Sequence, residues 1–191
     1  VKPGKGFRID LPDWVGEFAD KLPRFLPDAR ERMAVAISLS EQNVRHDTGG
    51  PFGALVVVEQ TGEVVALGVN RVESQLCSVA HAEIVALSLA QRLMGTWNLA
   101  DTRLGRLQLV TSCEPCAMCL GAIPWSGVRS VLCGATKADA EAAGFDEGVR
   151  PDDWIESLER RGIQVRTGVL REQAAGVLER YAVAKRTIYN P

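Results

Sequence analysis

Two short stretches of this chain carry residue types that can bind a metal and move a proton. One runs Thr111-Ser112-Cys113-Glu114-Pro115-Cys116-Ala117-Met118-Cys119, the other Ser78-Val79-Ala80-His81-Ala82-Glu83. Cys116 and Cys119 are three residues apart, a spacing that puts both sulfurs on one helix face, one turn apart. Pro115 suits the first helical position, where a missing N–H costs nothing. The spacing therefore predicts a helix that begins at the cysteines, with a dipole that favours their thiolates. Two thiolates and the His81 imidazole suit one catalytic zinc ion per chain, its fourth position open to water. Glu83 lies two residues past His81, about 200° around a helix, so the pair cannot comfortably ligate one ion. A carboxylate beside a metal but not on it is placed for proton transfer, which makes Glu83 the expected catalytic acid–base.

The same cysteines admit other chemistry. Because Cys113 precedes the pair by three, the run also reads as the opening of an iron–sulfur motif. The place where that motif wants a fourth cysteine is Ile123, followed by Pro124. A structural zinc would need a fourth protein ligand, and Cys77 or Cys133 could supply it. A C-x-x-C by itself is more often redox-active, structural or merely buried. The catalytic reading rests on the joint occurrence of His-x-Glu and Pro-Cys-x-x-Cys, the spacing of zinc-dependent nucleobase deaminases.

These residues need elements to hold them. Leu11, Trp14, Phe18, Leu22 and Phe25 recur at helical steps after Pro12, which predicts an amphipathic helix docked on the main body. A second helix runs from an Asp28 cap to about Val44. The stretch His46-Asp47-Thr48-Gly49-Gly50-Pro51-Phe52-Gly53 is a glycine-rich loop in which Phe52 can stack on a flat ring or simply join the core, and His46 reads as a surface residue. Valine-rich runs over 54–59 and 64–69 with Thr61-Gly62 between them form a hairpin, at whose end Asn70 can aim its amide at a ligand. Ala80 to Met94 is a helix ended by Gly95. Strands are expected at 107–110, 130–133 and 163–169, and helices from the cysteines to about Trp125 and over 137–143, 153–161 and 170–185. This alternation implies an α/β fold, a three-layer α/β/α sandwich with a mixed five-stranded sheet. Its helices start at strand ends, where open sheets place their sites.

At 191 residues, 46% of them hydrophobic and 24% charged, the chain suits one globular domain with appended terminal segments. No apolar run reaches membrane-span length, and the first residues lack a signal-peptide pattern. The chain starts at Val1 rather than Met, which points to a trimmed start. Three of the five cysteines fall within seven residues, which does not look like a disulfide framework and points to a reducing, cytoplasmic setting. The net charge of −2 with scattered Lys and Arg shows no basic patch for a nucleic-acid backbone, so a small neutral substrate is favoured and nucleic acid disfavoured.

From Asp28 onward the chain resembles the cytidine-deaminase superfamily, with its nearest likeness to bacterial guanine deaminases. The resemblance rests on Gly49-Gly50-Pro51-Phe52-Gly53, Ala80-His81-Ala82-Glu83, Thr111-Ser112-Cys113-Glu114-Pro115-Cys116 and, as the discriminating block, Ala142-Ala143-Gly144-Phe145-Asp146-Glu147. It implies zinc on His81, Cys116 and Cys119, and proton transfer by Glu83. It implies contacts to a purine base from Phe52, Asn70, Trp125 and Glu147, with backbone amides at the helix starts, that of Ala82 included. It also implies homodimers and a C-terminal segment closing over the site, for which Tyr189 is the candidate. Residues 1–27 form an extension and residues 28–191 a zinc-dependent deaminase domain. The expected reaction is hydrolysis of guanine to xanthine and ammonia. Ammeline, cytosine, a guanine nucleoside or tRNA adenosine stay open as substrates, as does a non-catalytic zinc scaffold.

Overall fold

The computed structural model describes residues 6–190. Residues 1–5 and 191, including the start of the expected extension, lie outside the described residues. One sheet is formed by β1 (Gly53–Val58), β2 (Val64–Val69), β3 (Leu107–Cys113), β4 (Ser130–Ala135) and β5 (Gln164–Arg166), in the order β2-β1-β3-β4-β5. β1 is antiparallel to both neighbours, and β3, β4 and β5 run parallel. Strand direction decides where the site falls. The start of β1 and the ends of β2, β3 and β4 all lie along one edge of the sheet. The loops carrying Phe52, Asn70, His81 and the cysteines therefore meet there.

Side-chain alternation along β1 separates two cores. Leu55 and Val57 face a core shared with α2 (Ala29–Arg45) and α7 (Arg171–Val183). Ala54, Val56 and Val58 face the other, shared with α3 (Ala82–Met94), α4 (Ala117–Ser126) and α6 (Trp154–Glu159). Helices thus cover both faces, the three-layer sandwich that the alternation of elements implied. Asp28 caps α2 as read, with Glu31 completing a capping box, and Gly95 ends α3 as read, in the left-handed conformation at φ 65°.

The differences sit at element ends. α3 and α4 begin at Ala82 and Ala117, one turn or less after the expected points, because His81 and Cys116 are extended N-cap residues. Pro115 therefore precedes the helix rather than opening it. β5 spans three residues, since Gly168 and Leu170 turn left-handed at φ 71° and 53° and take the chain off the sheet. The first helix, α1 (Asp13–Asp20), is shorter than its periodicity suggested, and Phe25 instead bridges to Glu63. Trp14 and Val15 of α1 are buried in the same core as α2. His46 is exposed, as expected of a surface residue, and its ring stacks on Trp14 with centroids 5.2 Å apart and planes 7° apart.

The short helix α5 (Lys137–Ala142) joins β4 to the Gly144–Gly148 turn. Thr136 and Asp139 form its capping box, and Asp139 also accepts two hydrogen bonds from Arg171 of α7, at 2.8 and 2.9 Å. Arg171 is the main cause that holds the Asp139 carboxyl below the usual carboxylate range. Its stabilisation is thus present above the unfolded value of about 3.9 and fades as pH falls below that. Asp139→Asn is expected to cost about 1 kcal/mol at pH 7, on the scale of a lost cap. The gap from the wild type should close in thermal unfolding as pH falls below about 3.9.

Candidate active site

His81 and Cys116 cap their helices with extended backbone, at φ/ψ −69/154° and −63/171°, and neither side chain makes a capping hydrogen bond. Both are instead free to project over the helix starts. His81 Nδ1 stands 3.5 Å from Cys116 Sγ and 3.7 Å from Cys119 Sγ. A tetrahedral zinc with Zn–S near 2.3 Å and Zn–N near 2.0 Å would set its sulfur and nitrogen ligands roughly 3.5 Å apart, so the residues fit the ion. Among the described residues, the metal-ligating cluster consists of His81, Cys116 and Cys119, with ligand atoms within 4.8 Å of one another. Cys77 and Cys133 stand outside it, so the structural-zinc reading finds no fourth ligand. Cys113 is buried and donates to the Thr136 carbonyl at 3.6 Å, which removes it from an iron–sulfur set.

Two sulfurs this close interact strongly. A hydrogen bond from Cys119, with help from His81, brings the Cys116 thiol down to about 4. Cys119 is pushed up by the same contact and by burial. Without a cation the pair thus shares a proton, and metal binding releases it.

A cavity of about 300 Å³ opens above these ligands. Glu83, the second residue of α3, reaches it while only 6% exposed, and burial raises its pKa. Glu147 lines it from the turn after α5, also 6% exposed. Burial, then the nearby Cys116 and Glu83 charges, push Glu147 up to about 8. The Glu147 backbone is fixed to the cysteine helix, its carbonyl accepting from Ala117 N–H at 2.9 Å. Asn70 lies at the end of β2 with a defined orientation. Its Oδ1 accepts from the backbone N–H groups of Gly50 and Val72, and its Nδ2 donates to the Tyr189 hydroxyl at 2.7 Å. Phe52 and Tyr189 complete the apolar wall with Phe145, whose ring packs edge-on to Phe52 at 4.9 Å.

Two expected contacts fall elsewhere. Trp125 is 82% exposed and lines a separate shallow groove, because the inward stripe of α4 is Cys119, Ile123 and Ser126. Ala82 is fully buried as the first residue of α3, and it does not line the cavity. The sequence reading also missed participants. Phe145 stood within the Gly-Phe-Asp-Glu block but was given no role. Glu114 and Arg150 form an ion pair at 2.7 Å, and Arg150 also donates to the Pro115 carbonyl, tying the Glu147 turn to the cysteine motif. Charge complementarity between Cys-Glu-Pro-Cys and the arginine after Glu147 was the available signal.

A mixed sheet that carries three such ligands on two helix starts, with a carboxylate one residue beyond the histidine's neighbour, defines a zinc-dependent hydrolytic deaminase. The chain belongs to the cytidine and deoxycytidylate deaminase family: residues 27–135 match the model of its zinc-binding region. A guanine deaminase of Bacillus subtilis is 41% identical over 112 residues, 59% of this chain and 67% of that protein. A solved guanine deaminase from Nitrosomonas europaea superposes with a TM-score of 0.89 at 45% identity, over 96% of this chain and all of that one. A tRNA-specific adenosine deaminase of Bacillus subtilis is 33% identical over 131 residues, 69% of this chain and 74% of that protein. Zinc is the cofactor of this site, and the residues that would hold it are His81, Cys116 and Cys119.

Elemental analysis of purified variants should therefore find about one zinc per chain in the wild type and in Cys113→Ser, Cys77→Ser and Cys133→Ser. Cys116→Ser and Cys119→Ser should lose it. Loss of zinc in Cys113→Ser to the same extent as in Cys116→Ser would overturn the three-ligand set.

Proposed function

We propose that this protein hydrolyses guanine to xanthine and ammonia. The observation that carries the reading is Glu147, a buried carboxylate that faces the cavity and receives no side-chain donor among the described residues. A ligand with N–H groups answers it, and guanine presents N1–H beside its 2-amino group. Asn70 answers the opposite need. With its oxygen already taken by two backbone amides and one N–H given to Tyr189, it offers its remaining N–H to an acceptor such as O6 or N7 of guanine. Phe52, Phe145 and Tyr189 give the ring apolar cover. The likeness to guanine deaminases of two bacteria supports the same assignment.

When bound, zinc supplies an acidified water, its pKa brought from about 15.7 towards about 7. The residues of the chain do the rest. Glu83 takes the proton of the attacking water and passes it to N3, then delivers a proton to the departing 2-amino nitrogen. A raised pKa suits a group that must both accept and return protons near neutrality. Glu147 holds N1–H on the other side of the reacting carbon, and Asn70 fixes the far edge. A base presented on an RNA loop would have to displace the C-terminal segment that lies on Asn70, Gly144 and Asp146. Trp125 and Val149, exposed along one groove, support the homodimer that the resemblance implies. Five cysteines, all free, support a cytoplasmic setting.

Ammonia release should be measured on guanine, adenine, cytosine, ammeline, guanosine and adenosine in tRNA. Guanine should lead, and faster turnover of adenosine in tRNA would sink the reading. Glu83→Ala should keep zinc and lose at least about 10²–10⁴-fold in kcat, the worth of general acid–base assistance. Activity within tenfold of wild type would assign the proton transfers to another group.

Glu147 also predicts a pH effect. Protonated, it loses acceptor capacity and presents an O–H towards N1–H, so guanine binding should strengthen as pH rises. A nearby dication lowers the carboxyl pKa from the value of about 8 set by the protein alone. The acid limb of kcat/KM on guanine should thus fall between about 4.3 and that value. Glu147→Gln should remove this limb and lower kcat/KM with zinc retained, whereas unchanged kinetics would leave Glu147 a mere turn residue.

A further inference from the structure

The region matched by the family model begins at residue 27, yet the cavity is connected to residues well before it. Trp14 of α1 donates its indole N–H to Thr48 Oγ1 at 3.0 Å, and that hydroxyl donates to Asn43 Oδ1 at 2.8 Å. The Asn43 amide is fully buried, and its oxygen is thereby committed. Both its N–H groups are spent on backbone carbonyls, those of Gly50 and Asn70, each at 2.9 Å. The polarity of the chain of bonds is therefore fixed from Trp14 to Asn70. A second connection runs beside it. Arg71, only 7% exposed, donates to the Asp10 carbonyl at 3.0 Å and to the Thr48 carbonyl at 2.6 Å. Gly49 closes the arrangement, since a Cβ there would stand 1.9 Å from the Asn70 carbonyl oxygen.

We propose that the N-terminal segment around Asp10–Trp14 is a buttress for base recognition, in which Trp14 acts through Thr48 and Asn43 to position Asn70 and the Gly49–Phe52 loop. The proposal rests on the reading of Asn70 as a contact to guanine. None of these residues reaches the reacting atoms. Trp14, Thr48 and Asn43 are positioning residues, and their loss should weaken binding without slowing the chemical step. Buried amides whose donors and acceptors are all engaged define one geometry, and removing one partner leaves the next group unsatisfied.

The decisive variant is Trp14→Phe, which keeps an aromatic ring in the core and against His46 but removes the indole N–H. It should hold zinc and keep kcat, while KM for guanine rises about threefold to tenfold, the scale of one net hydrogen bond. Thr48→Val should do the same and Thr48→Ser should restore wild-type KM. In an Asn70→Ala background, Trp14→Phe should raise KM by less than in the wild type. An unchanged KM in Trp14→Phe, or an equal rise in the Asn70→Ala background, would overturn the buttress. Amide hydrogen exchange in the substrate-free enzyme decides the matter apart from turnover. Exchange at residues 48–52 and 70–71 should quicken in Trp14→Phe, and unchanged or uniformly faster exchange would overturn the proposal. If wild-type protein left guanine intact, the substrate reading would fall, while the exchange result would still decide whether α1 orders this loop.

Discussion

Two sulfurs and an imidazole nitrogen confined within 4.8 Å of one another are the constraint around which this molecule is arranged. Thiolates at that separation repel, and the repulsion is relieved by a cation between them or a proton shared among them. The fold brings this about with backbone rather than with added side-chain ligands. Both α3 and α4 start at the same sheet edge, and each gives its N-cap side chain to the shared centre. The positive ends of two helices then lie beside the thiolates. The same placement keeps Glu83 in the first turn of α3, close to the metal position yet free of it.

Much of this could be read from residue order because the relevant signals are local. Asp28 with Glu31, Gly95, and the valine runs around Thr61-Gly62 each decide an element within a few residues. The zinc ligands were legible because three donor atoms of suitable softness recur at spacings that helix geometry constrains. What escaped depends on contacts distant in sequence. The helix starts shifted because Cys116 and His81 sit in extended backbone set by the meeting of two elements, which no window of sequence contains. Trp125 looked like a ring clamp, but its direction follows from Ile123 and Ser126 being the residues that α4 buries. His46 gained its partner from α1, more than thirty positions earlier. The Arg150–Glu114 pair joins part-buried groups 36 positions apart, and only their opposite charges signalled it.

Phe145, Glu147 and Tyr189 all lie after residue 135, where the family match ends, whereas His81, Glu83, Cys116 and Cys119 lie before it. The metal ligands and Glu83 are thus encoded before β4 ends, and much of the remaining cavity wall in the last third of the chain. During synthesis, the metal ligands leave the ribosome before the turn and tail that line the cavity. In evolution, the same division lets one part of the cavity wall change after β4 without disturbing the metal ligands. A scaffold divided in this way can diversify by exchanging its last third.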